Sequence, residues 1–334
     1  MAPKNMNRRP RHGPSGTLNI VPVCGNKPEI ITSFSVLSAV FLAESLVLQM
    51  VILYHPENAD YSAPGHPERP ERILHTASLL QETIKPADWR RPELVQQSEL
   101  LLAHSVGHWN RIHEGLPFDG DTPYYEGIAD LARRSAGSAV ASMRLALSGS
   151  LVFSLMRPPG HHATSDQAMG FCYLSNLAIA ALVARNEGVE RVAIWDFDAH
   201  HGNGTEAILQ GVQGIRFVSV HQYPGYPGTG SVSFDNCFNH PVRPESPPDD
   251  HMKILKKSWE DVLAFEPDLI LVSAGFDAYY DDPITQMSLR QEDFGVLGQW
   301  LAEAQIPTAA ALEGGYSNDL PSLVSEFMEG WIHG

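Results

Sequence analysis

From residue 50 onward the chain alternates short, unbroken apolar runs with longer helix-like stretches. The apolar runs fall at 51–54, 151–155, 192–195, 215–220, 269–273 and 308–312. Unbroken rather than alternating apolarity predicts strands covered on both faces, as in a parallel sheet. The helix-like stretches lie at 71–82, 128–147, 175–186, 205–209, 251–264 and 291–304. Strand and helix in alternation predict an α/β fold: a single domain whose mostly parallel central sheet is flanked by helices on both faces. No internal repeat or long linker interrupts 50–334, and the Pro-rich piece 241–250 predicts a loop.

The first 49 residues break this pattern. Residues 1–28 are polar, basic and Pro/Gly-containing, which predicts disorder. Residues 30–53 are strongly apolar but interrupted by serines, Glu44 and Gln49. The basic stretch is long for a secretory signal and no clear small-x-small cleavage site follows. A membrane span would carry Glu44 near its middle, which is costly. The expectation is that Met50 is the natural start, that 1–49 is a partly disordered extension or an add-on helix, and that the main domain is 50–334.

Polar, Gly-rich segments follow five of the apolar runs. RPPGHHA begins at Arg157, DFDAHHGNG at Asp196, HQYPGYPGTG at His221, AGFDAYYDDP at Ala274 and EGGY at Glu313. In open α/β sheets the carboxyl edge of the strands is where ligands bind, so five such loops mark one shared site.

Within IWDFDAHHGNG, alternation along an extended chain sends Asp196, Asp198 and His200 to one side. Burying such groups without partners is costly. Asp198 and His200 are spaced to reach one metal ion together, and Asp277 in GFD can complete three ligands. An Asp/His/Asp set with an open position suits a catalytic Zn²⁺, and Fe²⁺ or Co²⁺ also fits. Asp196, one step back, is placed as an acceptor behind the ligands. Any one of these acids alone reads as a solvated loop residue, but the combined string with the GFD and HH loops does not. His161 and His162 sit on a Pro-Pro-Gly turn. Beside a metal ion, one of them can take a proton from water and pass it to a leaving group. Tyr316, lifted by Gly314 and Gly315, can donate to a developing oxyanion, although a Gly-Gly-Tyr turn alone reads as packing. These residues by themselves indicate a metal-assisted hydrolase of an amide or ester.

Composition narrows the partners. With 39 acids against 23 bases the net charge is -16, which argues against a nucleic-acid surface and is compatible with cationic substrates or with solubility alone. Three cysteines (Cys24, Cys172, Cys237) without a CxxC pair form no disulfide framework or thiolate zinc site, which predicts a reducing, cytoplasmic setting, and Glu44 within the apolar stretch argues against membrane attachment.

Together, RPPGHHA, GFCYLSN, DFDAHHGNGT, YPGTG, AGFDA and LEGGY, in that order, resemble the histone deacetylase and acetylpolyamine amidohydrolase family, with its arginase–deacetylase fold, over roughly 50–330. HHGNGT and LEGGY are closer to its class II and bacterial branches. The resemblance implies Zn²⁺ on Asp198, His200 and Asp277, with His162 as general base and acid. It implies His161 as its electrostatic partner, oriented by Asp196, and Tyr316 as the carbonyl-polarising phenol. Class I members place an acid behind the second histidine where this chain has Asn203, which implies a less basic His162. Phe171 and Tyr226 would wall a narrow acyl-lysine tunnel, with Gly170 and Ile284 nearby and Asp121 at the rim. A structural K⁺ would be bound by carbonyls of Asp196, Asp198, His200, Ser219 and Val220. The implied reaction is zinc-dependent hydrolysis of N-acetyl amides of lysine or polyamines. Short-chain ester hydrolysis and non-catalytic acyl-lysine binding are the alternatives. A binuclear ureohydrolase is disfavoured because Ala278-Tyr279 follow Asp277 where a further ligand acid is needed. The short loops predict an open mouth; self-association into a homo-oligomer is left open.

Overall fold

The computed structural model describes residues 49–334; the expectations for the preceding extension lie outside them. The chain runs β1 (Met50–Leu53), a 3₁₀ turn (Pro56–Ala59), α1 (Glu71–Thr83), β2 (Ala87–Arg90), α2 (Gln97–Leu100), α3 (Val106–Ile112), α4 (Ile128–Leu147) and β3 (Leu151–Ser154). It continues through α5 (Asn176–Asn186), β4 (Val192–Asp196), α6 (Asn203–Leu209), β5 (Ile215–Gln222), β6 (Cys237–Val242) and α7 (Pro248–Leu263). The last elements are β7 (Leu269–Ala274), α8 (Gln291–Ala304), β8 (Thr308–Leu312) and α9 (Leu320–His333).

The eight strands form one sheet in the order β2-β1-β3-β8-β7-β4-β5-β6, and every pairing is parallel. Alternate residues of each central strand enter two separate cores. Ala193 and Trp195 of β4 join Phe153, Val272 and Ala310 beneath residues from α1, α7, α8 and α9. Val192 and Ile194 join Val152, Leu271 and Ala309 beneath α4 and α5. Both faces are buried, which is why these strands read as unbroken apolar runs. Among the described residues no helix is long and apolar enough to cross a membrane.

All six predicted strands and six predicted helices form, with ends displaced by at most three residues. The loop expected at 241–250 is a correction: β6 extends to Val242 and α7 starts at Pro248, leaving only 243–247 as a connection. Pro248 occupies the first helical turn, where its missing N–H costs nothing. The two strands absent from the sequence reading, β2 and β6, are the sheet edges. The five strands whose loops carry the candidate chemistry, β3, β8, β7, β4 and β5, are contiguous in the sheet, so their carboxyl ends converge.

Candidate active site

β4 ends at Asp196, and the chain leaving it carries Asp198 and His200; β7 ends at Ala274 and its loop carries Asp277. His200 Nδ1 lies 3.2 Å from Asp198 Oδ1 and 2.8 Å from Asp277 Oδ2. One ligand atom from each of the three residues falls within 4.8 Å of the others. Both carboxylates are fully buried and are aimed by main-chain donors: Gly314 N donates to Asp198 Oδ2 at 2.6 Å and Ala199 N to Asp277 Oδ1 at 2.8 Å. A side chain at Gly275 or Gly314 would run into the Asp198 carboxylate, so both glycines are needed for the close approach.

Electrostatically this is a concentrated negative pocket. Burial, and then the Asp198 charge, push the Asp277 carboxyl upward. Burial opposes charge on His200, yet the Asp277 and Asp198 carboxylates outweigh it and hold the imidazole well above its ordinary range. An oxygen, nitrogen, oxygen donor set this compact and this negative fits a divalent cation. Asp196 sits behind it: Oδ1 accepts from Asp198 N at 3.2 Å, and Oδ2 faces His161 Nδ1 at 3.1 Å.

The histidine pair follows β3. Gly160 N and His161 N both donate to Glu313 Oε2, at 2.7 and 3.1 Å, which ties the RPPGHHA turn to the end of β8. The two imidazole centroids are 4.0 Å apart, but their surroundings differ. Burial disfavours a charged His161, but Asp198 and Asp196 more than offset it and raise its pKa to about 10. His162 has no carboxylate partner on its ring; its Nδ1 faces Asn203 Oδ1 at 2.8 Å. Burial, reinforced by His161 and His200, holds it well below 6.5. A cationic and a neutral imidazole thus stand side by side, a division of protonation states common at catalytic centres.

A single cavity of about 300 Å³ joins these groups to solvent. It is lined by His162, His200 and Tyr316 together with all five predicted tunnel residues, Phe171, Tyr226, Gly170, Ile284 and Asp121. Phe171 holds a left-handed backbone (φ +69°), rare for a bulky residue, with its amide donating to Thr122 Oγ1 at 3.1 Å. Its ring stands edge-on to Tyr316 at 5.7 Å, and the Tyr226 ring stands edge-on to His162 at 5.1 Å. Tyr316 is 6% exposed, and burial drives its phenol pKa well above 10. Tyr226 and Ile284 are 40% and 38% exposed, so the mouth is open. Among the residues named for K⁺, Asp196 and Ser219 are direct partners across β4 and β5, with Val220 next along the strand.

Sequence reading missed several contributors. His66 lines the mouth, edge-on to Phe171 at 4.7 Å and 3.2 Å from the Asp121 carbonyl. Glu68, buried before α1, binds Arg157 of the histidine turn and, at 3.1 Å, Arg72. Arg72 in turn lies over the Tyr316 ring, 4.8 Å from its centroid. Asp282, whose carboxyl burial and the nearby Asp277 raise to about 7, contacts the Tyr316 main chain. The signal for the first three was the charged, proline-punctuated HPERPERI string leading into α1.

The model of the histone deacetylase domain matches residues 66–330. The chain belongs to the histone deacetylase family. A histone deacetylase-like amidohydrolase of Pseudomonas aeruginosa is 35% identical over 280 residues, covering 77% of this chain and 74% of that one. The solved HDA15 HD domain superposes with a TM-score of 0.79 at 28% identity, over 85% of this chain and 91% of that domain. An acetylpolyamine aminohydrolase from Burkholderia pseudomallei superposes with a TM-score of 0.73 at 25% identity, over 85% and 98%. The fold is therefore the arginase–deacetylase fold, and this family member is a hydrolytic enzyme of the deacetylase and amidohydrolase type.

Proposed function

We propose that this protein is a Zn²⁺-dependent deacetylase that hydrolyses N-acetyl amides, of acetyl-lysine or acetylpolyamines, to acetate and a free amine. The observation that carries the reading is the meeting of Asp198, His200 and Asp277 within 4.8 Å beside a cavity shared with His162 and Tyr316. A divalent ion held by those three residues supplies, when bound, Lewis acidity to the acyl carbonyl and to water. The rest of the chemistry belongs to side chains. The Nδ1–H of His162 donates to Asn203 Oδ1, which leaves Nε2 free to accept a proton from water and return it to the departing nitrogen. His161, kept cationic by Asp196 and Asp198, is a fixed positive charge that stabilises negative charge developing nearby. Tyr316 stays a neutral phenol and donates to the acyl oxygen as it gains charge. Phe171 and Tyr226 flank the aliphatic stem, with Gly170 and Ile284 beside them, and Asp121 at the mouth is the acceptor for a substrate amide or amine. The reading includes a structural K⁺ on the carbonyls of Asp196, Asp198, His200, Ser219 and Val220, which the Asp196–Ser219 pairing supports.

Acetyl-lysine in a polypeptide is the favoured substrate. An open groove of about 1010 Å³ adjoins the mouth, shares His66, Pro67, Ile284 and Tyr316 with the narrow cavity, and has room for chain flanking the lysine. Two described cysteines, both buried and unpaired, support a reducing, cytoplasmic setting. Rates on an acetyl-lysine peptide, acetylputrescine and an aryl acetate test the assignment; preference for the aryl acetate would replace it with an esterase. Tyr316→Phe is expected to keep its metal while losing about 10²-fold or more in kcat, the scale of one oxyanion donor. Full turnover by that variant removes the phenol from the mechanism.

A further inference from the structure

Residues 313–316 leave β8 without joining a strand or helix, so the main chain that aims Tyr316 depends on partners from elsewhere. Gly314 N is taken by Asp198, and Gly315 O by Arg72 Nε at 2.7 Å. Gly315 has φ +116°, so the turn enters Tyr316 from a conformation that only glycine adopts readily. Tyr316 N donates to Asp282 Oδ2 at 2.8 Å, and Asp282 Oδ1 accepts from Ile284 N at 3.1 Å. Asp282 is 7% exposed, and among the described residues no basic side chain pairs with it. A buried carboxylate without a cation is costly, and packing alone would be served by an apolar residue. What the carboxylate offers is two acceptor oxygens on one rigid group, one for each of two loops. An amide side chain has a single acceptor and would turn its NH₂ toward the other N–H.

We propose that Asp282 is a positioning residue: it sets where the Tyr316 phenol stands over the reacting carbonyl and, through Ile284, sets the width of the mouth. This rests on the proposed role of Tyr316. The two oxygens then have separable effects, because the Tyr316 bond governs the chemical step and the Ile284 bond governs substrate binding. Misplacing a catalytic donor by about 1 Å costs on the order of 10²-fold.

The test is a double-mutant cycle of Asp282→Ala and Asp282→Asn with Tyr316→Phe, assayed on a trifluoroacetyl-lysine peptide. Its electron-poor carbonyl keeps slow variants measurable. In the wild-type background kcat should fall by about tenfold or more, and KM should rise. In the Tyr316→Phe background the same Asp282 substitutions should change kcat by less than about twofold while KM still rises, since contacting residues couple and a phenol already removed has nothing left to position. Metal content and melting temperature for each variant separate this from unfolding, and Asp282→Asn, nearly isosteric, serves if Asp282→Ala does not fold. Equal kcat losses in both backgrounds would make Asp282 a structural residue and overturn the proposal. An unchanged kcat in Asp282→Asn and Asp282→Ala, with Tyr316→Phe impaired, overturns it while leaving the tyrosine's role intact. Full activity of Tyr316→Phe removes both.

Discussion

Asn203 shows how one side chain can set the working pH of a neighbour. It holds His162 Nδ1 at 2.8 Å as a neutral acceptor, while His161, one residue earlier, faces Asp196. Burial and the flanking imidazoles therefore lower the His162 pKa with no opposing carboxylate on its ring. Asn203→Asp would add a negative charge at that distance, and an opposite charge so close favours the imidazolium by about one unit or more. On the proposed mechanism His162 accepts the proton and must be neutral, so the acid limb of the kcat/KM profile should move to higher pH by that amount, with activity at high pH little changed. A pH–rate profile of the variant reads this directly, and an acid limb that stays in place would assign it to some other group.

At the scale of elements, the central strands were legible and the edges were not. β3, β4, β5, β7 and β8 are apolar throughout because both faces are covered, and that same continuity exposed the polar loops at their ends. β2 is nowhere fully buried, and β6 carries Pro241, which cannot donate to a ladder, so neither has a strand's usual signature. The candidate metal trio was readable because two of its members lie two residues apart at a strand end. The pairings of Asp282 and Glu68 were not, since their partners Tyr316 and Arg157 lie 34 and 89 residues away and meet them only through the fold. α7 carries a similar hidden feature. His251 in its first turn is 2% exposed, its Nδ1 has no partner among the described residues, and burial lowers its pKa to about 4. The unfolded chain binds that proton near pH 6.5 and the folded one near 4. Stability is therefore unaffected above 6.5, falls as pH drops between the two, and is roughly 2 kcal/mol lower at pH 5 on this account. His251→Leu should flatten that part of the curve. Urea melts of both proteins at pH 7.5 and pH 5 measure it, and an equal acid loss in both would acquit His251.

For the whole molecule, contiguity of five strands in the sheet gathers loops from distant parts of the described chain around one cavity. The cavity is narrow, yet it opens on the surface of a chain with net charge -16. A field of that sign concentrates cationic substrates at the mouth and leaves neutral ones unaffected. Its reach shrinks with salt: the Debye length falls from about 30 Å at 0.01 M to about 8 Å at 0.15 M. Over that range kcat/KM for acetylputrescine or for a lysine-rich acetylated peptide should fall about threefold or more. The value for an uncharged aryl acetate should stay nearly constant, and kcat should hold for all three, because the effect is on encounter and not on the chemical step. Stopped or steady-state rates across a salt series measure this. A parallel decline for the neutral ester would mean that salt acts on the folded site itself, and the acidic surface would then serve solubility alone.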